Sequence, residues 1–206
     1  MFDTRLRAII DPPLNLMARR LAASGLTANQ LSLFGLALAL CAGAAVVAGV
    51  FWLALILILL NRLADGLDGS LARVSGATEL GGFYDIVFDF LFYGLVPLAF
   101  ALYAPQDNAL PAALLLASFY ANGATFLAFA AIAARTGRQT SAQGQKTIYY
   151  FAGVAEGAET IAVFCAMCVF PGAFGVIATL FAVVCFVSAA ARIVMVRQLL
   201  SQEGDG

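Results

Sequence analysis

The chain has 206 residues, 63% of them hydrophobic and 11% charged, with a formal net charge of −1. Soluble domains run at roughly 45–50% apolar residues; here too few polar side chains exist to cover a water-exposed globule, so the class is integral membrane. Histidine is absent, which excludes imidazole acid–base chemistry and requires any metal site to use oxygen ligands, as Mg²⁺, Mn²⁺ and Ca²⁺ prefer.

Residues 1–29 alternate Arg5, Arg7, Arg19 and Arg20 with Leu6, Ile9, Ile10, Leu14, Leu16, Met17 and Leu21. This pattern predicts an amphipathic interfacial helix, kinked where Asp11-Pro12-Pro13 breaks it, with arginines toward anionic headgroups. The segment has neither a long apolar run nor a small-residue cleavage site, so it does not read as a signal peptide. Ser24-Gly25 ends it, and Thr27 is the expected N-cap of the next helix.

Residues 30–200 read as six transmembrane helices, near 30–49, 51–73, 79–103, 109–134, 147–169 and 172–197. Each reaches or nears the roughly 20 residues that cross a bilayer. The turns at 49–51 and 169–172 are very short, and the turn at 104–108 is polar. The tail, residues 201–206, is expected to be disordered. The predicted fold is therefore an all-α integral membrane protein: an interfacial segment, a six-helix transmembrane domain and a short tail.

Six spans put all 11 lysines and arginines on or near one side. The positive-inside rule then places both termini, and the 73–80 and 135–146 loops, in the cytosol of a bacterial-type inner (plasma) membrane. Cys41, Cys165, Cys168 and Cys185 all lie in apolar runs. The Cys165-x-x-Cys168 pair reads as small packing residues on one helix face rather than a redox pair.

Four of the 12 acidic residues sit inside the second and third spans: Asp65, Asp68, Asp85 and Asp89. Carboxylates there are costly unless a cation holds them. Asp65 and Asp68 are three apart and Asp85 and Asp89 four apart, so each pair shares a helix face. The short connection VSGATEL makes the two helices antiparallel neighbours, which brings the pairs to similar depth. Four carboxylates converging from two helices form a cage for one or two divalent cations. Gly69 and Ala72 leave a groove beside it, and Arg73 stands at the membrane edge where it can meet a phosphate. The competing reading is an ion network with Arg62 and Arg73, but two arginines cannot neutralise four clustered acids.

The pattern Asp65-x-x-Asp68-Gly69-x-x-Ala72-Arg73, followed by Gly81-x-x-x-Asp85-x-x-x-Asp89, resembles the signature of the CDP-alcohol phosphotransferases. Seven residues separate Arg73 from Gly81, one fewer than that family's usual spacing; the missing residue falls in the loop. Gly25 to Gln30 resembles the family's N-terminal Thr-x-Asn stretch. The resemblance implies six transmembrane helices, an interfacial helix and a homodimer. It implies transfer of a phosphatidyl-type group from a CDP-alcohol lipid, CDP-diacylglycerol, to a small polar alcohol with release of CMP, in phospholipid biosynthesis. By position, Asp65, Asp68, Asp85 and Asp89 would hold two Mg²⁺ or Mn²⁺ ions, and Asp89 would also be the general base. Gly69, Ala72 and Arg73 would line the CDP pocket. The implied partners are donor lipid, acceptor and membrane lipids, with no nucleic acid.

A second polar region carries Glu156 and Glu159 on one face of the fifth span. They are candidate acceptor ligands, or a polar helix contact paired to Arg192. Arg135, Arg138 and Lys146 are candidate sites for a phosphorylated acceptor, or topology determinants and headgroup anchors. The glutamates favour a neutral polyol or an amine-bearing acceptor and the bases a phosphorylated one, leaving glycerol 3-phosphate, inositol, inositol phosphate and serine open. Most of the aromatic residues Phe83, Tyr84, Phe88, Phe90, Phe92, Tyr93, Tyr149 and Tyr150 are expected to be lipid-facing or interfacial-belt residues, with no catalytic part. The alternative function is a secondary transporter or ion carrier using intramembrane carboxylates, but transport sites favour the midplane of repeated halves. No repeat is visible here, and the aspartates gather toward one face.

Overall fold

The computed structural model describes residues 2–135 and 157–201, with side chains from residue 12 onward. Among the described residues, seven α-helices follow one another: α1 (Phe2–Ala23), α2 (Ala28–Val47), α3 (Phe51–Ser75), α4 (Glu79–Tyr103), α5 (Pro105–Arg135), α6 (Gly157–Val169) and α7 (Phe174–Ser201). A single 3₁₀ turn, Pro171–Ala173, separates the last two. No strand occurs among the described residues.

The helix ends follow from local chemistry. Thr27 caps α2 as expected, accepting from the Gln30 amide while the Gln30 side chain accepts from the Thr27 amide, a reciprocal capping box. Gly49 at φ +75° and Gly76 at φ +100° make the sharp turns after α2 and α3, conformations that disfavour a Cβ. Thr78 caps α4 through the Gly81 amide.

Two expectations are corrected. The polar turn at 104–108 shrinks to Ala104, because Pro105 opens α5. Proline suits a first helical position, where its missing N–H is not needed. The buried Asn108 then donates its Nδ2 to the Phe100 carbonyl, 3.0 Å away, which satisfies the end of α4. Likewise α1 is helical through Pro12 and Pro13 rather than broken by them; two ring nitrogens remove ladder donors but keep a helical φ.

Ala28–Val47, Glu79–Tyr103, Pro105–Arg135 and Pro171–Ser201 are each long and apolar enough to cross a membrane. α3 is 25 residues long but carries Arg62, Asp65, Asp68 and Arg73. α6 is apolar and 13 residues long. Large apolar side chains cover the outside, among them Trp52, Leu110, Val176 and Leu180, each more than 60% exposed. Such a surface belongs in lipid rather than water.

The core joins α2 to α7. Small residues Ala39, Ala42 and Ala54 let helices approach, while Phe92, Phe100, Phe164 and Phe174 fill the centre. Phe100 stacks on Phe174 at 4.6 Å between centroids. A second cluster of Leu14, Leu31, Ala64 and Leu67 docks α1 onto α2 and α3. Leu14 lies so close to Gly66 that a Cβ there would come within 3.1 Å of it. The start of α2, the end of α3 and the start of α4 thus meet at one end of the bundle.

Candidate active site

Those three helix ends border a narrow, open cleft lined by Ser32, Gly35, Leu36, Asn61, Arg62, Asp65, Asp68, Asp85, Phe88 and Asp89. The two acidic pairs do face each other across α3 and α4. Carboxylate oxygens of Asp65, Asp68 and Asp85 all lie within 4.8 Å of one another. Asp68 is buried, Asp65 half-buried and Asp85 exposed, so the group opens from the protein interior to its surface. Ser32 donates to Asp68 Oδ2 at 2.5 Å, fixing that carboxylate from α2.

Asp89 stands differently. Its Oδ1 accepts from Arg62 Nη1 at 2.8 Å, and the same nitrogen lies 3.5 Å from Asp65 Oδ2. Arg62 is one helical turn before Asp65 on the same face, so the (i, i+3) spacing was the available signal. Its guanidinium lies 4.4 Å from the Phe92 ring centroid, within cation–π range. Its Nε donates to Asn61 Oδ1 at 2.9 Å, and Asn61 Nδ2 donates to the Gly35 carbonyl at 2.8 Å. The ion-network reading therefore holds for Asp65 and Asp89. It does not extend to Arg73, which donates to Ser70 Oγ at 2.8 Å instead.

The expected CDP-binding residues line up along the end of α3. Gly69 and Ala72 are half-buried and Arg73 is exposed. A Cβ on Gly69 would first meet Arg73 Nη1, at 3.8 Å, so the arginine lies over the glycine. Gly81 of α4 faces Asn29 of α2, whose Oδ1 would be 3.1 Å from an added Cβ. The Thr27-to-Asn29 stretch thus both caps α2 and closes one wall of the helix junction.

Among the expected acceptor residues, Arg135 is exposed at the end of α5 and Glu159 lies in the first turn of α6. Glu159 Oε2 is buried with no hydrogen-bond partner among the described residues. Arg138, Lys146 and Glu156 lie outside the described residues. Arg192 donates to the Asn122 carbonyl, Asn122 Oδ1 and Thr125 Oγ1, each at 2.9 Å. The aromatic assignment needs correction. Phe92 is buried at 1% exposure, Tyr93 is partly buried and Phe88 lines the cleft; their positions on α4 turn them inward with Asp85 and Asp89. Tyr149 and Tyr150 lie outside the described residues. All four cysteines are free, with Cys168 and Cys185 in the core.

The site is thus an acidic cleft in a helical membrane-type bundle, formed by the end of one helix and the start of the next. Residues 25–189 match the CDP-alcohol phosphatidyltransferase family, and the chain belongs to it. It is accordingly an enzyme, a CDP-alcohol phosphotransferase. The chain is 43% identical to the inner membrane protein YnjF of Escherichia coli strain K12 over 193 residues, 94% of each chain. It is 33% identical to the archaetidylinositol phosphate synthase of Pyrococcus horikoshii over 87 residues, 42% of this chain and 46% of that one. The fold is shared with Mycobacterium tuberculosis phosphatidylinositol phosphate synthase, crystallised with CDP-DAG bound. The TM-score is 0.63 at 20% identity, covering 87% of this chain and 91% of that one.

Proposed function

We propose that the enzyme transfers a phosphatidyl-type group from a CDP-alcohol lipid such as CDP-diacylglycerol to the hydroxyl of a small polar acceptor, releasing CMP. The observation that carries this reading is the convergence of Asp65, Asp68 and Asp85 oxygens within 4.8 Å at the mouth of the cleft. An all-carboxylate set suits a hard divalent cation, Mg²⁺ or Mn²⁺, and offers nothing to a soft one. Those three aspartates would hold the ion. Bound there, it supplies charge neutralisation for the pyrophosphate and for the departing CMP.

The remaining steps belong to the chain. Gly69 and Ala72 leave room for the nucleotide to approach the α3 backbone, and exposed Arg73 meets a phosphate oxygen. Asp89 lines the cleft, and only its Oδ1 is engaged by Arg62; Oδ2 takes the acceptor's proton as the oxygen attacks. The acceptor oxygen–phosphorus bond forms, the pyrophosphate P–O bond breaks, and the bridging oxygen leaves with CMP. A carboxylate is the natural base in a chain without histidine. Arg135, Arg138, Lys146, Glu156 and Glu159 are the candidate acceptor contacts. The names of two relatives put inositol phosphate first among acceptors to try. The site opens at the cytosolic edge of a six-span bundle with both termini inside, where α1 lies along the interface.

The test is purified protein with radiolabelled CDP-diacylglycerol and, in turn, inositol phosphate, inositol, glycerol 3-phosphate and serine, with products read by lipid mass spectrometry. Acceptor-dependent CMP release is expected. No release with any acceptor, together with cation flux into proteoliposomes, would establish the carrier reading instead.

A further inference from the structure

We propose that Arg62 is a built-in second cation of this site: its guanidinium holds Asp89 and limits the aspartate cage to one divalent ion, at Asp65, Asp68 and Asp85. The proposal rests on the metal-cage reading above and departs from the two ions that the sequence resemblance implies.

The four acids divide into overlapping sets. Asp65, Asp68 and Asp85 converge on one another, whereas Asp65 and Asp89 converge on Arg62 Nη1, at 3.5 and 2.8 Å. Asp65 belongs to both. This is the arrangement of a two-cation centre, in which a shared carboxylate lies between the cations, but one cation is covalently part of α3. Arg62 lies one helical turn before Asp65 on the same face of α3.

The guanidinium is held from behind. Its side chain is 17% exposed. Nε is tied to buried Asn61, and Asn61 is tied to the α2 backbone at Gly35. Phe92, buried in the core, lies against the guanidinium. Moving it aside forfeits the Asp89 contact, the Asn61 hydrogen bond and the ring contact together, and strands a charge in a poorly solvated place. A divalent ion entering between Asp65 and Asp89 would meet that fixed positive charge at contact distance, where repulsion between like charges is strongest. Among the described residues, the cation–carboxylate pairs of this site lie on the Arg62 side and not on the open side toward exposed Asp85.

Counting Mn²⁺ on purified protein in detergent, by equilibrium dialysis and electron paramagnetic resonance, tests this without reference to turnover. Wild type is expected to bind one Mn²⁺ per chain with the spectrum of an isolated ion. Asp89→Asn is expected to keep that ion, because Asp89 is not one of its ligands. Arg62→Met, which removes the charge and keeps the length, is expected to double the stoichiometry and give a dipolar-coupled spectrum. Two coupled Mn²⁺ in wild type would overturn the proposal while leaving the metal cage intact. Loss of the ion in Asp89→Asn, or an unchanged single ion in a folded Arg62→Met, would also overturn it. No Mn²⁺ on wild type would sink the cage reading itself, and this proposal with it. If Arg62→Met does not fold, the wild-type count and Asp89→Asn decide.

Discussion

Asp68→Asn separates a cation site from a satisfied ion network, because the two demand opposite changes in stability. Asp68 is 6% exposed and accepts a 2.5 Å bond from Ser32. Asparagine keeps the shape and can still accept from the hydroxyl, so packing is preserved. The lost charge stands with two other carboxylates, their oxygens no more than 4.8 Å apart. A like-charge pair at that distance repels by about 3.5 kcal/mol at an effective dielectric of ~20 and about 0.9 kcal/mol in bulk water. Asp85 is exposed, so screening pulls the net relief toward about 1–2 kcal/mol. Without divalent ions the variant should therefore melt higher than wild type, by about 2–8 °C for a chain of this size. With Mg²⁺ or Mn²⁺ the order should invert. The removed carboxylate would have faced a doubly charged ion, and losing about 3 kcal/mol of that attraction weakens binding on the order of 100-fold. The assay is a melt in detergent with and without chelator, beside a Mn²⁺ titration. A variant that melts lower than wild type in both conditions, with unchanged Mn²⁺ affinity, would refute the reasoning, because the acids would then already be balanced within the protein.

Asp89→Asn should reduce CMP release by at least about 100-fold while CDP binding is retained, as expected for loss of a general base; near-normal turnover in the purified variant would reject that role. Chelation should abolish transfer and Mg²⁺ or Mn²⁺ restore it, so full turnover in excess chelator would contradict a cation-dependent site. Gly66→Leu should force α1 off α3, because a Cβ alone reaches within 3.1 Å of Leu14. The expected cost is about 1–3 kcal/mol, seen as faster proteolysis within residues 1–27, and an unchanged cleavage rate would count against this docking.

Much of the site was legible because helical spacing is a local property. Asp65 with Asp68, and Asp85 with Asp89, share faces by arithmetic alone, and a three-residue connection from Gly76 to Thr78 leaves α3 and α4 only one way to lie. The Thr27 cap was legible for the same reason, since its partner Gln30 is three residues away. Ser32 was not: it reaches Asp68 across 36 positions of sequence, a distance that no periodicity spans. Phe92 and Tyr93 follow Asp89 by three and four residues and so share its inward face; hydropathy hides this, because it does not tell a face against protein from a face against lipid.

The amino-acid sequence determined the membrane class, the helical architecture, the caps and the acidic pairs, all set by composition and by contacts within a few residues. Tertiary structure alone decided how the quartet is divided. Three carboxylates are gathered together, and the fourth is turned to Arg62 because Asn61, Gly35 and Phe92, drawn from three different helices, fix that guanidinium between Asp65 and Asp89. Which charge neutralises which depends on distances through space, and those exist only once the helices have packed.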